Sequence, residues 1–551
     1  MGSAGHGAEA YAGRPIIGIA NSWNDFVSCN LPHRELVEHV KRGVLDAGGY
    51  PMEFHTMATS ADLTKPSDLP YRNLMSMDVE EMIRSLPMDG VVLLAECDKT
   101  VPAQLMAAAS CDIPALQLAA GHRASGRFRG RTVNYGTDLW RYMQQHDAGE
   151  LDDAGWAEFE RCISCGLGGC PVMGTASTMK SVSEILGMML PGTASTPAEH
   201  PDRRAAAVAT GARIVEMVRE DLRPSRLMTA DAFDNAIRLL GALAGSTNAI
   251  LHLVAIAGRL GLKLPLRRFD DLIADTPVLV NLQPSGEHGM DRFHEAGGTA
   301  AVIRALLPKL HADAVTATGR SLGQEYAQCG PGSAEVIGSL DTPFQASGGL
   351  AVVGGSLCPD GAVVKTAAVS AHLRRHRGRA VVFDGYEEMV ATIDRDDLEV
   401  DASSVLILRN CGPVGAGMPE WGMIPIPRKL ARQGVTDMVR VSDARMSGTS
   451  YGTVVLHVAP EAAVGGPLCL VRNGDEVQLD LDARTLDLVV PAEELRTRRD
   501  AWSAPPSRHG RGFLRLWEED VLQAPEGCDL RILRPRNASD RSMVEPIVGR
   551  S

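Results

Sequence analysis

The sequence has no apolar run of the roughly 18 residues that a membrane-spanning helix needs, which argues against a helical membrane protein. Its first residues, MGSAGHGAEAYAG, have neither the basic n-region nor the apolar h-region of a secretory signal and read as a flexible lead. Positive charge is in deficit: 55 Lys and Arg stand against 68 Asp and Glu, for a net charge of −13. A general nucleic-acid surface needs clustered basic residues, so no nucleic-acid partner is expected. The two Arg-rich stretches, Arg374–Arg379 and Arg496–Arg499, are short and read as solvated faces. Internal repeats and low-complexity tracts are missing. The 11 cysteines form no regular disulfide framework, and in a reducing compartment metal ligation is the better use for a selected few. These absences point to a globular protein of a reducing, cytoplasmic compartment.

What is present is ordinary in bulk and specific in detail. The chain is 44% hydrophobic and 22% charged, close to the globular averages of about 45–50% and about 25%. At 551 residues it exceeds one ordinary core, so at least two domains are expected. The first part alternates strand and helix patterns: strands at 15–20, 89–96 and 113–119, helices at 32–47 and around 102–109. Such alternation predicts an α/β fold. Met179, Val182, Leu186 and Met189 predict a helix over 175–190, and helices follow at 203–220, 230–243 and 246–260, with Thr229 and Ser246 as N-caps. From about residue 346 short strands dominate, at 405–409, 438–441 and 453–458. A hairpin is expected around Asn473-Gly474, a type I′ turn signal, between 468–472 and 476–482. The reading is an N-terminal α/β domain over 1–345 and a β-barrel-like C-terminal domain over 346–551.

Cys97-Asp98-Lys99 closes the apolar run Gly90–Ala95 and carries the most information. Ligands collect outside the carboxyl ends of strands in open α/β sheets. A thiolate suits iron and a carboxylate suits magnesium, so the triplet suggests two metals side by side. Cys29 and Cys170 each precede a predicted helix, where free N–H groups and the helix dipole favour a thiolate. Three thiolates from distant segments can hold an iron–sulfur cluster with one iron open as a Lewis acid. Three buried free cysteines are the commoner situation on spacing alone. A rival set, Cys162, Cys165 and Cys170, has the form C-x-x-C-x-x-x-x-C but no fourth ligand at motif spacing. Ser447, in Asp443-Ala444-Arg445-Met446-Ser447-Gly448-Thr449, lies between two short strands, a place for an active-site loop or a simple turn. Glu420, in Gly417-Met418-Pro419-Glu420-Trp421, is a candidate metal carboxylate or a surface residue.

Taken together, GIANSWNDFVSCN, YRNLMSMDVEEMIR, DGVVLLAECDKTVPAQLMAAAS, CPVMGTASTM, NCGPVGAGMPEWGMIPIPRKL and VRVSDARMSGTSYGTVVLHVAPEAAVGGPL resemble the IlvD/Edd dehydratase family over nearly the whole chain. The wording MSGTSYGTVVLHVAPE with GMPEWGMIPIP resembles its sugar-acid (aldonate) branch. The resemblance implies that Cys29, Cys97 and Cys170 hold an iron–sulfur cluster, 2Fe-2S in that branch with 4Fe-4S as the alternative. It implies Mg2+ on Asp98 and Glu420, a carbamylated Lys99 as a further ligand, and Ser447 as the catalytic base. It also implies a homodimer or homotetramer and a polyhydroxy carboxylic acid as substrate, dehydrated to a 2-keto-3-deoxy acid.

The chain departs from that family at two points near the site. Counting back from Arg72-Asn73-Leu74, Ala61 occupies the position of a metal-ligand glutamate, and Asp62 next door is a candidate replacement. The glycine that usually precedes Cys97 is Glu96. Two alternatives follow from these departures: a dehydratase of another, branched-chain or specialised dihydroxy acid, and a non-catalytic paralogue.

Overall fold

The computed structural model describes residues 5, 7–163 and 165–536. Strands β1 (Ile16–Asn21), β2 (Tyr50–His55), β3 (Gly90–Leu94) and β4 (Ala115–Leu118) form a parallel sheet in the order β2-β1-β3-β4. Helices His33–Asp46, Leu69–Ser85 and Thr100–Cys111 connect them in turn. Every residue of β3 is buried, as a strand covered on both faces requires. The chain leaves β1 toward β2 on one side and reaches β3 on the other. The loops after β1 and β3 therefore diverge and leave a crevice at the carboxyl ends of these strands. Cys29 lies in the first of these loops and Cys97 in the second. A short hairpin, β5 (Gly126–Phe128) with β6 (Arg131–Val133), and a layer of helices through Tyr326 complete this part.

The second part is an eight-stranded mixed sheet. It comprises β7 (Ala351–Val353), β8 (Gly361–Val364), β9 (Arg375–Asp384), β10 (Val405–Arg409), β11 (Arg440–Ser442), β12 (Val454–Ala459), β13 (Glu476–Asp480) and β14 (Thr485–Val489). Their order is β14-β13-β9-β10-β11-β12-β8-β7, parallel from β9 to β12 and antiparallel at both flanks. The two edges meet. Gly354 N donates to Arg484 O at 3.0 Å and Leu486 N to Gly354 O at 2.7 Å, so the sheet is nearly closed. Side chains alternate with the strand period of two. Val405 and Ile407 join Val441, Val455, Leu479 and Leu486 in one core, while Leu406 and Leu408 turn outward against Phe383, Met389 and Ile424.

The two parts are tied by the segment after helix Gly512–Asp520, which returns to the first part. There Arg259 Nε meets Asp529 Oδ2 at 2.8 Å with both side chains buried, and Arg72 Nη2 donates to Cys528 O at 2.7 Å. Residues 537–551 of the expected second domain lie outside the described residues.

Several local expectations change. The helix expected over 175–190 stops at Ile185, because Gly187 takes φ +76 and turns the chain. Thr229 caps its helix by accepting from Ala232 N, but Thr247, not Ser246, is the cap residue of the next one. Asn473-Gly474 does not join a hairpin: residues 467–470 form a 3-10 turn, and β13 pairs with β14 and β9 instead. Asn473 Oδ1 accepts from Val382 N at 2.7 Å, so the turn is used to dock on β9. Arg498 is buried rather than solvated, held by Asp475 and Glu494. The lead expected to be flexible contains a short helix at Ala8–Tyr11, and residues 1–4 and 6 lie outside the described residues.

Candidate functional site

A cavity of about 860 Å³ opens where the loops after β1 and β3 face loops of the nearly closed sheet. It falls within the range of small-molecule pockets, about 300–1,000 Å³. Cys29, Cys97, Cys170, Asp62, Asp98, Glu420 and Ser447 all line it. Lys99 lies directly behind, fully buried.

The cysteines arrive from three loops. Cys29 sits on the 3-10 turn Ser28–Asn30, Cys97 between β3 and helix Thr100–Cys111, and Cys170 ahead of helix Thr175–Ile185. Asn30 fixes the first against the second: its Oδ1 accepts from Glu96 N at 3.1 Å and Cys97 N at 3.2 Å. A hydrogen bond between the Cys29 and Cys97 thiols lowers the pKa of Cys29 and raises that of Cys97. Burial, then the charge of Cys29, push the Cys170 thiol up. Arg123 is the cation that faces them. It is almost buried, donates to Gly168 O at 3.1 Å, and lies 5.1 Å over the Tyr135 ring. Nothing in the sequence around Arg123 marks it. The rival cysteine set is not gathered: Cys165 bonds Cys162 O at 3.1 Å, and neither lines the cavity.

The carboxylates converge on two buried cations. Lys99 Nζ is 2.5 Å from Asp98 Oδ2 and 3.2 Å from Asp68 Oδ2. Arg445 reaches Asp68 Oδ1 and Glu420 Oε1, each at 2.7 Å. Burial and Arg445 would both lower the Lys99 pKa, yet Asp68, Asp98 and Glu420 outweigh them and it is raised. Glu420 is a wall of the cavity rather than a surface residue; burial pushes its carboxyl up, against Arg445 and Lys99. Asp68 and Arg445 escape single-residue sequence reading because their partners are 377 residues apart in the chain.

Ser447 Oγ lies 2.9 Å from Thr449 Oγ1, which also accepts from Trp140 Nε1 at 3.1 Å. The next residue, Gly448, abuts the start of helix Thr175–Ile185 so closely that a Cβ there would stand 2.5 Å from Thr175 N. The Ser447 loop is thus seated on a helix N-terminus, whose dipole favours negative charge. Glu96, where the resemblance leads one to expect glycine, points away from solvent and meets Lys180 Nζ at 2.5 Å with both side chains fully buried.

Among the described residues no three Cys, His, Asp or Glu side chains stand as a ready-made site for one ion. The donors still fit two different groups. Three sulfurs share one cavity with a facing guanidinium, which suits a thiolate-held iron–sulfur cluster. Carboxylate oxygens share the same cavity, which suits magnesium.

Residues 14–325 match the N-terminal family of the dihydroxy-acid/6-phosphogluconate dehydratases, and residues 335–528 match the C-terminal one. The chain belongs to the dihydroxy-acid/6-phosphogluconate dehydratase family. It is a dehydratase, a hydro-lyase in reaction class. It is 48% identical to the L-arabonate dehydratase of Azospirillum brasilense over 95% of this chain and 91% of that protein. It is 44% identical to the 6-deoxy-6-sulfo-D-gluconate dehydratase of Pseudomonas putida over 96% and 92%. Against the dihydroxy-acid dehydratase 1 of Methanosarcina acetivorans the identity is 38% over 93% and 94%.

In this dehydratase the position expected to carry a glutamate is Ala61, in the cavity wall. Asp62 beside it is exposed, and its charge acts on Cys29, Cys170 and Tyr135. No helix among the described residues is long and apolar enough to cross a membrane.

Proposed function

We propose that this dehydratase removes water across C2–C3 of an aldonic acid and releases a 2-keto-3-deoxy acid. The observation that carries the reading is the single cavity that collects three cysteines, Asp98, Glu420 and Ser447 from distant loops. The higher identity to sugar-acid dehydratases, 44–48% against 38% for a dihydroxy-acid dehydratase, favours a sugar acid over a branched-chain acid.

Cys29, Cys97 and Cys170 would hold the iron–sulfur cluster, of the 2Fe-2S or 4Fe-4S type, and Asp98, Glu420 and a carbamylated Lys99 would hold Mg2+. When bound, these groups supply the Lewis acidity that lets a C3 hydroxyl leave and that acidifies the C2 proton. The residues do the rest. Ser447 Oγ acts as the alkoxide, whose negative charge the helix N-terminus under its loop favours, and becomes a neutral hydroxyl on taking the C2 proton. Arg123 offsets charge on the thiolates. The C3 oxygen leaves as water on receiving the proton that Ser447 took from C2, and the resulting enol ketonises as its C2 hydroxyl gives up a proton and C3 gains one. The Trp140 and Trp421 rings and the polar side chains of Lys65 and Thr449 line the room left for a polyhydroxy chain. Assembly as a homodimer or homotetramer is part of the same reading.

The test is turnover of a pentonate and hexonate panel by anaerobically purified, cluster-loaded protein with Mg2+, read as 2-keto-3-deoxy acid. At least one sugar acid is turned over, and Ser447→Ala abolishes that turnover while leaving the cluster's visible spectrum. Turnover of 2,3-dihydroxyisovalerate with no sugar acid would overturn the substrate class. Silence on both, with the cluster intact, would favour a non-catalytic role. Retained activity in Ser447→Ala would remove Ser447 as the base.

A further inference from the structure

The missing glutamate leaves a question of charge: which carboxylate makes up for Ala61? Asp62 is the nearest in sequence, but it is exposed, and its charge acts on Cys29, Cys170 and Tyr135. The charges that act on Lys99, Glu420 and Arg445 are those of one another and of Asp68 and Asp98; Asp62 is not among the leading ones.

Asp68 has the opposite character. It closes the loop that begins near Ala61 and stands immediately before helix Leu69–Ser85. Its residue exposure is 3%, and it lines the cavity. Its Oδ1 is committed to Arg445 at 2.7 Å. Its Oδ2 is buried and faces Lys99 Nζ at 3.2 Å; against burial, this ion pair and Arg445 hold the Asp68 carboxyl below its usual range. A buried carboxylate oxygen without a hydrogen-bond donor is costly. In the metal-dependent reading Lys99 is carbamylated and carries no positive charge, so this oxygen then loses its partner unless a divalent cation takes that place. The oxygen shares Lys99 with Asp98, and Arg445 links Asp68 to Glu420.

We propose that Asp68 is a divalent-cation carboxylate of this site, relocated seven positions along the loop from the place where Ala61 stands. The inference rests on the metal-dependent reading above. In it Asp68 Oδ2 joins Asp98 and Glu420 in facing the ion, and Arg445 orients Asp68 and Glu420 from behind. Ala61 frees the space that a glutamate would fill, and Asp62 serves the sulfur side.

Mn2+ binding to cluster-loaded protein, followed by electron paramagnetic resonance without substrate, tests this apart from activity. Wild type binds Mn2+, and Mg2+ competes. Asp68→Asn weakens Mn2+ binding at least tenfold with the cluster spectrum unchanged. Asp62→Asn stays within twofold, and Ala61→Glu in the Asp68→Asn background recovers much of the affinity. Asp68→Asn with wild-type Mn2+ affinity and a lowered metal-free Tm would overturn the proposal, since Asp68 would then only brace Arg445. Should Asp68→Asn fail to fold, Asp68→Glu keeps the charge by Arg445 and shifts the oxygens by one methylene; unchanged Mn2+ affinity there overturns it equally. A wild type that binds no Mn2+ with its cluster intact overturns this inference together with the metal-dependent reading. Tight Mn2+ binding that ignores Asp68 overturns the inference alone.

Discussion

Glu96 sits one residue from Cys97, where a bare carboxylate would oppose the build-up of thiolate charge. The chain answers with Lys180, from the helix that follows Cys170. The pair is fully buried at 2.5 Å, and Gly121 N adds a hydrogen bond to Glu96 Oε2 at 2.8 Å. Burial still leaves the Glu96 carboxyl raised, with Lys180 pulling the other way. Desolvation of both charges makes such a pair a weak net stabiliser, but removing one partner is costly. Lys180→Met is therefore expected to destabilise by about 3–5 kcal/mol, the range for breaking a buried ion pair. Glu96→Gln added to Lys180→Met recovers most of it. Chemical denaturation of the metal-free protein checks this, and equal losses in the single and double variants would show that the pair is not coupled. In sequence Glu96 reads only as a misplaced charge. Its partner lies 84 residues on, and no local pattern joins them.

At the scale of elements, the Ser447 loop depends on how closely it approaches helix Thr175–Ile185. A Cβ on Gly448 would lie 2.5 Å from Thr175 N and 2.8 Å from Ser246 Oγ, so Gly448→Ala must lift the loop. A displacement near 1 Å at a reacting group costs about 10²-fold in rate. Gly448→Ala is expected to lower kcat by about that factor with an unchanged cluster spectrum and near-native Tm. Stopped-time assays on the turned-over sugar acid read it, and a wild-type kcat would show that the loop tolerates the shift. Elements with a strong period were legible. Val405–Arg409 is a strand as expected, and its residues alternate between two cores. The Asn473-Gly474 turn misled because a turn signal reports a reversal, not which strand receives the chain. That the three cysteines, Asp98, Glu420 and Ser447 belong to one cavity was legible because each stands inside a long motif of the family resemblance, not from its spacing alone. Asp68, Arg123 and Arg445 were not, because their roles arise only from contacts between distant segments.

At the scale of the whole molecule, the cavity depends on two parts staying docked, and buried titratable groups set the pH range in which they do. His33 stands at the head of the helix that follows Cys29, and His457 on β12. Burial, with Arg203 for His33 and Arg445 for His457, lowers each to about 3. Between that value and the unfolded value of about 6.5 the unfolded chain binds more protons, so stability rises with pH. The contribution of each histidine is present above about pH 6.5 and is lost on acidification at about 1.4 kcal/mol per pH unit. Glu461 works in the opposite sense. It is buried against Val414 N and Gly415 N, both at 2.9 Å, and burial, then Asp443, raise its carboxyl to about 7. Its native form holds a proton that the unfolded chain has released above about pH 4.5, so its contribution is present at acid pH and is lost as pH rises toward 7. Two variants separate the slopes. Relative to His33→Phe, wild type is expected to lose stability as pH falls from 6.5, by about 1.4 kcal/mol per unit. Relative to Glu461→Gln, wild type is expected to lose stability as pH rises from about 4.5 to 7. Denaturant midpoints at half-unit pH steps measure both differences. Parallel curves for wild type and either variant would mean that group does not change its protonation on unfolding, and the pH range of docking would have to come from the ion pairs between the parts.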